Sequence, residues 1–130
     1  METSVILVGP RRYNELYERF ANLNELLAWG HAKVIKELSG LVPGCPRALS
    51  DQFANPRVLE RALSRQEVKV ELQQRTKGES DVAVAAASIL AREAFVRWIE
   101  GASGTWDLSL PLGAGVQVLE SGRDFIARYG

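Results

Sequence analysis

Residues 81–100, DVAVAAASILAREAFVRWIE, constrain the fold most. Ala83, Ala85, Ala86, Ala87 and Ser88 crowd one helical stretch with side chains too small to fill a core alone. Such a surface lets a helix backbone lie close to a sheet, while Val82, Ile89, Phe95 and Ile99 supply burial. The stretch therefore predicts a long helix from about Ser80 to Glu100, packed on strands in an α/β layer. Glu79, Ser80 and Asp81 occupy its N-cap and first turn.

The rest of the chain supplies the strands and helices that this architecture needs. SVILVG is short, β-branched and stopped by Gly-Pro, which predicts a buried strand over residues 4–8. A short helix is expected from Arg12 to Phe20. A longer one follows in NLNELLAWGHAKVIKELSG, with Asn22 or Asn24 as its cap, Leu27, Val34, Ile35 and Leu38 at helical spacing, and Gly40 as its stop. RALSDQF reads as a second strand with Asp51 near its C-terminal end. Asn55 and Pro56 then open a helix, the first by capping and the second by its fixed φ at the first helical position. In VKVELQQ, Val68, Val70 and Leu72 alternate with Lys69, Glu71 and Gln73, the pattern of a half-buried strand. GASGTWDLSLPLGAG is expected as loop and Val116–Arg128 as a last helix. No linker is evident, so residues 1–130 are expected to form a single domain.

Charge and composition exclude some classes. Lys plus Arg and Asp plus Glu number 16 each, so bulk positive charge does not drive nucleic-acid binding, although a local basic patch remains open. The single cysteine, Cys45, forms no internal disulfide, which fits a cytoplasmic setting. The apolar run at the start is too short for a signal peptide core or a membrane span.

Two readings compete for Asp81. An acidic residue at a helix start caps free N–H groups and answers the helix dipole. Alternatively, Asp81 shares a hard cation with Asp51, which leaves its strand at the end where α/β sheets place ligands. Spacing leaves both open. Arg75 and Lys77 flank the approach to Asp81 and are candidate phosphate contacts, with solvated charges as the alternative. His31, the sole histidine, rules out a histidine-rich metal site and reads more simply as a helix-surface or packing residue. Trp29, Trp98 and Trp106 read as core, Arg11, Arg12 and Arg19 as a solvated helix face, and Cys45 as structural. GLVPG and LPLGAG lack the spacing and the Lys-Ser ending of a phosphate loop and read as turns.

RRYNELYERFANLNELLAWGHAKVI, SDQFA and RTKGESDVAVAAASILAREAFV, in that order, resemble ribonuclease HIII, a type 2 ribonuclease H, and LPLGAG is similar to a turn of that family. The resemblance runs from about Pro10 to Gly130. It implies a ribonuclease H fold and endonucleolytic cleavage of the RNA strand of RNA/DNA hybrids, with Mg²⁺ or Mn²⁺ held by four carboxylates. It assigns Asp51 as the third of these and Asp81 as the fourth. The family's first two are an adjacent Asp-Glu pair in a DEVGKGD-like motif. This chain contains no Asp-Glu dipeptide, and Asp51 is its first aspartate. The family's closing KLHF segment is also missing from it. The expectation is therefore a partial ribonuclease H-like fold, a mixed sheet lacking its first β-meander and flanked by helices. Such a chain is expected to be inactive alone. It would take its missing N-terminal half from a second chain, or self-associate through an exposed strand 4–8. The alternative is a non-catalytic remnant or interaction module that associates through the same edge.

Overall fold

The computed structural model describes residues 1–130. Its elements are α1 (Pro10–Phe20), α2 (Leu23–Leu41), β1 (Arg47–Asp51), α3 (Pro56–Arg65), β2 (Glu71–Arg75), a 3₁₀ turn (Gly78–Ser80), α4 (Val82–Trp106) and α5 (Val116–Tyr129). The class is α/β, with five helices and a two-stranded parallel sheet. Two compact units divide the chain, Met1–Leu90 and Ala91–Gly130.

In the first unit β1 and β2 pair in parallel from Arg47↔Glu71 to Asp51↔Arg75. Parallel strands cannot be joined by a tight turn, and α3 forms the crossover between them. Asn55 accepts the Arg57 N–H at 3.0 Å and Pro56 takes the first helical position, so α3 starts where its sequence says. Asn22, not Asn24, caps α2, accepting from Asn24 N at 2.8 Å and Glu25 N at 3.3 Å. The helix runs one residue past Gly40 to Leu41.

The core of this unit lies between α2, α3 and the sheet. Ala28 and Ala32 of α2 are fully buried against Leu59, Ala62 and Leu63 of α3. Two alanines on one face let the helices approach closely, and Ile35, Phe53, Val58, Val68, Val70 and Leu72 close the sides. The alternating face of Val68, Val70 and Leu72 thus packs as expected, although regular pairing starts only at Glu71. Glu25 ties the helices from outside the core, with Arg61 at 3.0 Å and Arg65 at 3.5 Å.

The strand expected over residues 4–8 does not form. No backbone ladder reaches this segment, and the sheet consists of β1 and β2 alone. A strand exists only by pairing, and β-branched composition cannot supply the partner. Val5 and Leu7 are exposed instead. The segment is tied through Ser4, whose hydroxyl donates to Glu37 Oε2 at 2.6 Å.

In the second unit α4 runs through the expected loop GASGTW to Trp106. Trp106 packs edge-on against Phe125 and Tyr129 of α5 at 5.1 and 5.0 Å, and the Tyr129 hydroxyl donates to the Trp106 carbonyl at 2.7 Å. No helix in the chain is long and apolar enough to cross a membrane.

Candidate functional site

Asp51 is the last residue of β1, and Asp81 is the residue before α4. Between β2 and Asp81 the chain must reverse within a few residues. Lys77 does this in the left-handed conformation, at φ 55°, and Gly78–Ser80 follow as a single 3₁₀ turn. The turn packs on the end of β1, where the Gly78 N–H donates to Asp51 Oδ1 at 2.8 Å. The Gly78 carbonyl accepts the Asp81 N–H at 2.9 Å. Both aspartates are therefore hydrogen-bonded to the same residue, Asp51 through its carboxylate and Asp81 through its backbone N–H.

Asp81 Oδ1 accepts from Ala83 N at 2.9 Å and Val84 N at 3.4 Å. This is the helix cap anticipated from sequence, and it holds the carboxylate at the positive end of α4. Each aspartate thus has Oδ1 committed to backbone donors, while no hydrogen bond engages either Oδ2. Asp51 is exposed and Asp81 half-buried, so both reach solvent.

A carboxylate fixed by N–H donors is a hard oxygen donor of the kind that Mg²⁺ and Mn²⁺ accept. The donor chemistry fits such an ion, but the donor number does not complete a site. The chain assembles no group of three or more acidic, histidine or cysteine side chains able to hold a metal.

Arg75 ends β2, and Lys77 precedes the 3₁₀ turn. Arg75 faces Asp51 across the parallel pair, and its carbonyl accepts the Gln52 N–H at 2.9 Å. Its guanidinium donates to Gln73 Oε1 at 3.2 Å. Lys77 is exposed, and neither cation is ion-paired.

The remaining candidates lie elsewhere. His31 projects from α2 with Nδ1 at 2.8 Å from the Leu27 carbonyl, which requires the proton on Nδ1. Its ring packs on Phe53 at 4.7 Å, two residues beyond Asp51. Trp29 is half-buried beneath the Lys33 ammonium at 4.9 Å and Arg12 at 5.8 Å, a cation–π arrangement. Trp98 and Trp106 are exposed, not core. Cys45 is an exposed free thiol.

Gly78 escaped the sequence reading. Glycines are common in turns, and nothing local marks this one as the contact for a carboxylate 27 positions away.

A model of the ribonuclease HII family matches residues 3–130, and the chain belongs to that family. It is similar to proteins named ribonuclease HIII: 43% identical over 126 residues to one from Protochlamydia amoebophila (strain UWE25), and 46% over 127 residues to one from Chlamydia pneumoniae. A third, from Chlamydia felis (strain Fe/C-56), is 42% identical over 127 residues. Each match takes in 97% of this chain but only 42–43% of the relative. The chain thus spans less than half the length of the curated relatives it matches.

Proposed function

We propose that this chain is the carboxylate-bearing C-terminal part of a metal-dependent endoribonuclease that cuts the RNA strand of RNA/DNA hybrids. The observation that carries the reading is the pair Asp51 and Asp81, hydrogen-bonded to one glycine, with a free oxygen on each. Family membership and the name shared by the relatives supply the substrate class.

Asp51 and Asp81 would hold Mg²⁺ or Mn²⁺. When bound, such an ion supplies an activated water and stabilises charge on a phosphodiester. The chain's own part is to keep both carboxylates fixed, Asp51 by the Gly78 N–H and Asp81 by the start of α4. Arg75 and Lys77 would meet backbone phosphates, which positions a duplex without reading its sequence.

Two carboxylates do not constitute the rigid set that catalysis needs, so the chain alone is inactive in this reading. The missing ligands come from the part of the relatives that this chain does not match, on a second polypeptide or the remainder of a longer one. Because the family model runs through both compact units, residues 1–130 are read as parts of one domain. The free thiol of Cys45 agrees with a reducing, cytoplasmic setting.

The test is a hybrid-cleavage assay with Mg²⁺ or Mn²⁺, using the 130-residue chain alone and mixed with the unmatched N-terminal part of the Chlamydia pneumoniae relative. Cleavage is expected only in the mixture and is abolished by Asp51→Asn. Robust cleavage by the chain alone, abolished by the same substitution, refutes the incomplete site. A mixture that forms a complex yet never cleaves assigns the chain to the non-catalytic interaction module.

A further inference from the structure

We infer that Gly78 is a positioning residue that couples Asp51 to Asp81, so that one residue sets the placement of both carboxylates. The inference rests on the reading of that pair as metal ligands. The Gly78 N–H, 2.8 Å from Asp51 Oδ1, selects the side-chain torsion of Asp51 and leaves Oδ2 free. The Gly78 carbonyl, 2.9 Å from the Asp81 nitrogen, fixes the backbone from which the second carboxylate projects.

Helix capping does not explain this arrangement. Asp81 caps α4 with its own Oδ1, through bonds that do not involve Gly78. Nor does backbone conformation demand a glycine here, since the positive φ belongs to Lys77. What demands it is proximity. A Cβ at position 78 would stand 3.0 Å from Asp51 Cα, 3.1 Å from Oδ1 and 3.2 Å from Cβ. The nearest of these is backbone of β1, held in register with Arg75, and not the far end of a flexible side chain. A side chain at 78 therefore requires the turn and the strand end to part by a few tenths of an ångström, lengthening the Oδ1 contact and carrying Asp81 with it. Of the eleven glycines, ten have nothing within 4 Å of an added Cβ, and Gly78 alone is crowded.

The test uses the whole chain, with Mn²⁺ alone as the probe and amide NMR as the readout. In the wild type, Mn²⁺ broadens the amides around Asp51 and those of residues 78–82 together. Gly78→Ala is expected to weaken Mn²⁺ binding roughly 10–100-fold, the usual cost of losing a group that orients a ligand. Gly30→Ala, made in open space, is expected to change it by less than about twofold. Without metal, Asp51→Asn is expected to move the Gly78 amide proton upfield, because a charged acceptor becomes a neutral one, and to shift the Asp81 amide with it.

Mn²⁺ affinity of Gly78→Ala within about twofold of the wild type overturns the coupling. So does a Gly78 amide that ignores Asp51→Asn. If the wild type binds no Mn²⁺, the metal reading fails by itself, and the amide response decides the coupling. The same response decides it if Gly78→Ala does not fold.

Discussion

Asp81 carries two duties that different substitutions separate. Its carboxylate caps α4 through Ala83 and Val84 and, in the proposed function, also binds the cation. Asparagine caps helices about as well as aspartate but carries no charge. Asp81→Asn is therefore expected to keep stability within about 0.5 kcal/mol of the wild type while abolishing Mn²⁺ binding. Asp81→Ala loses the cap as well and is expected to cost about 1 kcal/mol, read from urea unfolding. Equal Mn²⁺ affinity in wild type and Asp81→Asn would leave Asp81 as a cap only. The places of both aspartates were legible in the sequence because their signals are local: one ends a strand and the other precedes a run of alanines. Gly78 was not, because its constraint is the approach of β1, and a tertiary approach leaves no trace in the neighbouring residues.

Among the elements, the helices of the first unit were legible where their stop and start signals are chemical. Asn22 and Asn55 each bind backbone N–H groups as their positions imply, and Pro56 adds a fixed φ. What joins these helices is packing, and Leu59, 1% exposed and enclosed by the α2 alanines, is its centre. Leu59→Ala is expected to destabilise the unit by about 2–5 kcal/mol in urea melts, since the alanines opposite cannot expand into the void. The strand at 4–8 was misread because composition reports β-propensity and not the presence of a partner. The end of α4 was misread for the converse reason. Gly101 and Gly104 weaken a helix locally, yet the aromatic cluster of Trp106, Phe125 and Tyr129 holds its last turn. Trp106→Ala is expected to fray that turn, seen as loss of hydrogen-exchange protection over residues 101–106 with the rest of α4 unchanged.

For the whole molecule the governing fact is how little of its apolar surface is covered. α4 has no buried residue along its 25 positions, although Val82 to Ala91 carry no charged side chain, and a helical stretch of that composition is ordinarily a core element. Val82 is 84% exposed and Ile89 70%, and the small residues between them leave a shallow strip suited to a sheet. The relatives contain more than twice the matched length, which is where the proposed function finds the cover. Net charge near zero adds no repulsion to keep such surfaces apart, so the isolated chain is expected to associate with itself. Ile89→Lys, at a position already facing solvent, changes stability by less than about 0.5 kcal/mol. It is expected to lower self-association, measured by light scattering, and at the same time to weaken binding of the unmatched part of the Chlamydia pneumoniae relative. The two effects move together only if one surface serves both. A variant that stays monomeric yet complements as well as the wild type would place the docking surface elsewhere.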